Sequence, residues 1–130
     1  MRKLILFFVM LFFASCSSNY LIGKWSFSKN HEILGGIVKS TWSFDANGDF
    51  ERKTEHCFKD NKIVVIAEEF GKWSLNDSWL EVELTRNRVL NDKKDNPMNS
   101  KKTYTLKKIS NNCIELLDTE GEITQLTKED

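Results

Sequence analysis

The sequence predicts an all-β fold, an eight-stranded up-and-down antiparallel β-barrel set behind an N-terminal export signal. Three observations predict it. Turn formers recur at short intervals, at Asp45-Ala46-Asn47-Gly48, Lys59-Asp60-Asn61-Lys62, Asn76-Asp77-Ser78, Ser110-Asn111-Asn112 and Thr119-Glu120-Gly121. The runs between them are short and rich in Val, Ile, Thr, Phe and Trp, the residue types that fit a pleated, half-buried surface. No helical period lasts longer than about two turns; His31-Glu32-Ile33-Leu34 makes one turn at most before Gly35-Gly36.

The export signal comes first. Met1-Arg2-Lys3 is a short basic start, and residues 4–14 (LILFFVMLFFA) form an unbroken apolar run of 11 residues. That matches the core of a signal peptide and falls short of the ~20 residues that cross a bilayer. The run ends in Phe13-Ala14-Ser15-Cys16. Small residues before a cysteine resemble the lipobox of bacterial lipoproteins, although Phe13 stands where Leu is usual. The resemblance implies cleavage before Cys16 and acylation of its thiol; the alternative is an ordinary cleavable signal with an incidental cysteine. Acyl chains stabilise membrane attachment by ~0.8 kcal/mol per buried CH₂. By resemblance to lipoprotein sorting, Ser17 directs the chain to the outer membrane. The absence of acid in Ser17-Ser18-Asn19-Tyr20 favours its periplasmic face over the cell surface.

The expected organisation is therefore a lipoprotein signal peptide over 1–15, a lipidated tether over 16–22 and one barrel domain over 23–130. Cleavage leaves 115 residues, enough for one core. It also leaves 17 basic against 19 acidic residues, a net charge of about −2. A nearly neutral surface has no long-range field to gather nucleic acid or anionic lipid. The chain is expected to reach the membrane through its N-terminal lipid alone, to bind no nucleic acid and to be a monomer.

Strands are expected over 23–29, 37–45, 49–58, 62–75, 79–85, 101–109, 113–118 and 122–128. The fourth is long and should bend at Gly71. Residues 86–100 (RNRVLNDKKDNPMNS) are charged and hold the single proline, which reads as a long loop, either a mobile tip or a binding element. Eight sequential antiparallel strands remove their exposed edges by closing.

The turns fix the registers. Asp45-Ala46-Asn47-Gly48 suits a type I turn with Gly48 left-handed. Phe44 then faces Phe50, Trp42 faces Arg52, Ser40 faces Thr54 and Val38 faces His56. A turn centred on Asp60 sets His56 opposite Val64, Thr54 opposite Ile66 and Arg52 opposite Glu68. The alternate face holds Lys39, Thr41, Ser43, Glu51, Lys53, Glu55 and Glu69 and is the wet one. The first set therefore points inward, joined by Leu80, Val82, Leu84, Tyr104, Leu106, Ile114, Leu116, Thr124 and Leu126. Trp42, Arg52, Glu68, Thr54 and His56 make the candidate site in the lumen. Inside the barrel Arg52 and Glu68 should pair, with Trp42 over the guanidinium. The row is either a self-satisfied ion pair or a polar spot that orients a ligand.

Other chemistry is not expected. His31 and His56 have no ligand-like spacing, so no metal is predicted, and neither a Ser-His-Asp arrangement nor a Gly-rich phosphate loop occurs. No cofactor and no enzymatic activity are expected. Cys57 and Cys113 should remain unpaired, both outward-facing on strands from opposite walls.

Leu21-Ile22-Gly23-Lys24-Trp25 opening the first strand resembles the Gly-x-Trp start of lipocalins. Thr41-Trp42-Ser43-Phe44-Asp45-Ala46-Asn47-Gly48, Gly71-Lys72-Trp73-Ser74-Leu75-Asn76-Asp77-Ser78 and Tyr104-Thr105-Leu106-Lys107-Lys108-Ile109-Ser110 support a likeness to short bacterial lipocalin-like domains over about residues 21–128. This resemblance implies a lipid-anchored barrel that binds a small apolar or amphipathic ligand in its lumen. The alternative is a solid barrel that engages an envelope protein through loops or its outer face, in the manner of an inhibitor, with Trp79 a candidate for that surface.

Overall fold

The computed structural model describes residues 20–89 and 95–129. The expected signal peptide, Cys16 and the first residues of the tether lie outside the described residues. Eight strands follow in order: β1 (Gly23–Asn30), β2 (Ile37–Phe44), β3 (Asp49–Cys57), β4 (Ile63–Asn76), β5 (Trp79–Val89), β6 (Asn96–Ser110), β7 (Cys113–Asp118) and β8 (Ile123–Lys128). Each pairs antiparallel with the next, and β8 returns to β1, closing the barrel.

The turns work as their residues dictate. The Asp45 amide donates to the Asp49 carbonyl and the Gly48 amide to the Asp45 carbonyl, both at 3.0 Å. Gly48 takes φ +91°, which a Cβ would strain. This hairpin delivers the whole β2–β3 register expected from it: Phe44↔Phe50, Trp42↔Arg52, Ser40↔Thr54, Val38↔His56.

The β3–β4 ladder departs from expectation at one residue. His56 does face Val64 and Glu55 faces Val65, but Thr54 faces Ala67, so Ile66 is an extra residue, a bulge. Every later position of β4 moves by one. Arg52 faces Glu69, and Glu68 faces Lys53 on the outer wall, where its other neighbour is Arg88. The reason is packing. Trp73 and Leu75 must point inward beside the core, which sets odd positions of β4 inward below the bulge. Val64, opposite His56, sets even positions inward above it.

The β5–β6 hairpin is also longer than expected. Residues 86–89 and 96–100 belong to strands, with Arg86↔Pro97 and Asn87↔Asn96 paired. Outside the barrel Arg86 and Arg88 cover the Phe70 ring, at 4.2 and 5.9 Å from its centroid, and both reach Asp95. These charges lie on a solvated face, where they do not oppose strand formation. Of the connection, residues 90–94 lie outside the described residues.

The core fills the end of the barrel where the chain enters. Leu21, Trp25, Phe44, Leu80, Ile114, Leu116 and Leu126 are fully buried, each worth about 1.5–3 kcal/mol relative to exposure. Leu21 lies within the expected tether, yet it plugs this closed end. The Trp25 Nε1–H donates to its carbonyl at 2.8 Å, and the Lys128 ammonium donates to the Tyr20 carbonyl at 3.4 Å.

Cys57 and Cys113 are both half-buried and unpaired. They sit on β3 and β7, which are four strands apart whichever way the ring is followed. A disulfide needs Cα atoms within about 7 Å. Thiol titration of the unfolded, unreduced protein is expected to find both groups free. A monomer two protons lighter would contradict this strand order.

Candidate functional site

The closed end leaves the opposite end, bounded by the β1–β2, β3–β4, β5–β6 and β7–β8 connections, as the open one. Inward residues in the upper half of the strands line a cup of about 290 Å³ there. Its apolar wall is Phe27, Val38, Trp42 and Tyr104; its polar wall is Ser40, Arg52, Thr54, Glu69 and Thr124, with Lys29, Lys102, Asp118 and Glu122 at the rim.

Arg52 and Glu69 anchor the cup. The guanidinium donates twice to the carboxylate, from Nε at 2.7 Å and from Nη2 at 2.8 Å. Planar bidentate pairing of this kind fixes geometry as well as adding energy. The two side chains are 22% and 19% exposed, so the pair is largely desolvated but still reachable from the cup. Burial opposes the Arg52 charge, and the hydrogen bonds and charge of Glu69 outweigh it, holding the guanidinium above its ordinary value. Burial pushes the Tyr104 phenol up, and the neighbouring Arg52 pulls it partly back. The Trp42 ring lies 5.2 Å from the Arg52 Cζ, as expected from the sequence, and its Nε1–H donates to Ser40 Oγ at 3.1 Å. Edge contacts to Phe50 and Tyr104, both at 5.8 Å, lock the indole from below and beside.

Four of the five residues predicted for the lumen therefore point inward, and three of them, Trp42, Arg52 and Thr54, line the cup. Glu68 does not; the Ile66 bulge puts Glu69 in its place. His56 is buried above the cup without lining it. Its Nε2 meets the Gly35 carbonyl at 2.8 Å, and its ring stacks between His31 at 4.9 Å and Phe58 at 4.0 Å. His56 thus holds down the β1–β2 turn.

Glu69, expected from sequence on the wet outer face, belongs to the site, and so do Phe27, Lys29, Lys102, Asp118 and Glu122, which were not singled out from sequence. The odd-numbered apolar residues Trp73 and Leu75 carried the signal for Glu69, since strand alternation leads back from them to position 69. Among the described residues no group of three or more His, Cys, Asp or Glu side chains is placed to hold a metal.

A larger groove, about 380 Å³, runs over the outer wall past Asp49, Glu51, Phe70, Lys72 and Arg86. Its cations are already committed, Lys72 to Asp49 and Arg86 to Asp95, and Arg86 covers the Phe70 ring. The cup is the better candidate, because aromatic side chains and a fixed ion pair border one open space. Exposed apolar side chains also lie elsewhere among the described residues. Ile33, Leu34, Ile37 and Ile63 form a knuckle beside the open end, with Ile33 89% and Ile63 62% exposed. Trp79 is 50% exposed at the closed end. Neither the protein-family models nor the curated proteins contain a match to this chain.

Proposed function

We propose that this chain is a lipid-anchored envelope protein of lipocalin-like fold that holds a small amphipathic molecule in the cup at its open end. The observation that carries the reading is the cup itself. Above a filled core, aromatic side chains and a rigid ion pair border the same open space, an arrangement that receives an apolar body and orients a polar group. At about 290 Å³ the volume lies at the low edge of the ~300–1,000 Å³ range of ligand pockets. It corresponds to about ten water-sized groups, which suits a single ring or short chain. The interior below Trp42 is occupied by side chains, so no long acyl chain enters.

The Phe13-Ala14-Ser15-Cys16 junction supports the anchor. With Tyr20 at the closed end, a lipid on Cys16 lies at most about 14 Å of extended chain away. The closed end then faces the membrane and the cup faces away from it. Cys16→Ser should abolish acyl labelling and leave unprocessed precursor. Normal processing with release of a soluble 115-residue protein would refute the anchor.

Native mass spectrometry of the protein taken directly from membranes tests the cup. A bound species of about 10–15 non-hydrogen atoms is expected, and Thr54→Phe, which fills the cup from a half-buried position, should remove it. An unliganded parent protein, or a ligand indifferent to Thr54→Phe, would sink the proposal.

The exposed knuckle of Ile33, Leu34, Ile37 and Ile63 favours a second reading, an interaction module that engages an envelope protein. An envelope phenotype that follows Ile33→Lys and ignores Thr54→Phe would support it over the first.

A further inference from the structure

The barrel closes on itself along its shortest ladder. β1 meets β8 only through Trp25↔Lys128 and Ser26↔Thr127, with one more bond from the Glu129 amide to the Lys24 carbonyl at the closed end. Every other neighbouring pair is laddered over at least five positions. Towards the open end both strands continue, each paired on one side only. Residues 27–30 keep partners on β2, and residues 123–126 keep partners on β7.

Alternation tells which backbone groups face the gap. The His31 amide bonds the Gly36 carbonyl on the β2 side, whereas Lys24 accepts from Glu129 on the β8 side. Even residues of β1 therefore address β8. Lys128 donates to Asn112 on the β7 side, so odd residues of β8 address β1. The amides and carbonyls of Ser28 and Asn30 face those of Ile123 and Gln125 across a seam with no ladder, and all four residues are exposed. Phe27 and Lys29 on one lip and Thr124 on the other line the cup, so the seam is also the side wall of the cup.

We propose that the open-end half of this seam accepts an extended peptide segment of a partner protein, which adds to the edge of β1 and turns alternate side chains into the cup. A row of unpaired N–H and C=O groups at strand spacing is complemented by another extended main chain. The peptide's inward side chain passes Phe27 towards Trp42, which calls for one bulky apolar residue at that position. Charges around the cup balance, with Lys29, Arg52 and Lys102 against Glu69, Asp118 and Glu122, so the entering side chain is uncharged. The residues on either side of it face solvent. The proposal is separate from small-molecule binding, since filling the cup blocks both and altering the β1 edge blocks only the peptide.

Proline at position 28 tests the edge. It deletes the amide that faces the seam and leaves the β1–β2 bonds, made from odd positions, untouched. Ser28→Pro is expected to melt within about 4 °C of the parent, whereas Phe27→Pro, which deletes a bond to β2, melts far lower. In the parent, the Ser28 amide exchanges at least ~100-fold faster than that of Ser26. The peptide probe is a capped seven-residue chain of threonine alternating with valine, with phenylalanine at its centre. It is expected to slow exchange at Ser28 and Asn30 at least ~10-fold, to lose binding to Ser28→Pro, and to lose it when N-methylated on alternate residues. A Ser28 amide as protected as Ser26, with Ser28→Pro strongly destabilised, would show the seam zipped and overturn the proposal. So would unchanged exchange at Ser28 and Asn30 under millimolar probe.

Discussion

Gly71→Ala is expected to cost roughly 4 kcal/mol or more, at the severe end of overpacking substitutions. A Cβ at this position would lie 1.8 Å from the Glu83 carbonyl oxygen, 2.7 Å from its carbon and 2.9 Å from the Leu84 Cα. All three atoms are backbone, so no rotamer change makes room. β4 and β5 would have to part where their register shifts, from Phe70↔Arg86 to Gly71↔Leu84 with Thr85 left over. This close approach lies within the 14-residue β4, at the shift in its pairing with β5. Gly48→Ala is the control. Its φ of +91° strains a side chain, but the nearest atom to its Cβ, the Trp73 carbonyl oxygen, is 3.8 Å away, so about 1–2 kcal/mol is expected from the dihedral alone. Urea denaturation of both variants decides; a Gly71→Ala loss no larger than that of Gly48→Ala would mean that β4 and β5 part freely.

The barrel was legible because each hairpin carries its own turn chemistry. Asp45-Ala46-Asn47-Gly48 alone sets eight pairings between β2 and β3, and Gly71 falls where the β4–β5 register shifts. What stayed hidden were features with no local signature. The Ile66 bulge sits in Val64-Val65-Ile66-Ala67, four apolar residues that fit a strand on either face. Only the conflict between even-inward Val64 and odd-inward Trp73 reveals it, and that conflict spans nine residues. The upper β5–β6 hairpin was hidden for the opposite reason. Arg86, Arg88 and Asp95 read as loop until Phe70, from a third strand, supplies the surface on which they stack. The cup needed both ends of the barrel at once, because the plug formed by Leu21 and Trp25 is what makes the other end the open one. The seam between β1 and β8 joins the two ends of the chain and has no turn to encode it.

The bulge can be tested through the ion pair it creates. Glu69→Ala strands the Arg52 guanidinium among Trp42, Tyr104 and the cup wall, where burial already opposes its charge. Losing one partner of a buried pair costs ~3–5 kcal/mol. The residual exposure of about a fifth on each side chain brings the expectation to roughly 2–3 kcal/mol. Arg52→Ala should cost at least as much, because the indole of Trp42 also loses the cation 5.2 Å from its ring. Replacing both partners together, as Arg52→Met with Glu69→Leu, removes the desolvated charges along with their attraction and should recover most of the loss. Glu68→Ala, on the outer wall opposite Lys53 and Arg88, should change stability by less than about 0.5 kcal/mol. The double-mutant cycle between positions 52 and 69 is therefore expected to show strong coupling, and that between 52 and 68 none. The reverse pattern would restore the unbulged register, return Glu68 to the lumen and move Glu69 to the outer wall.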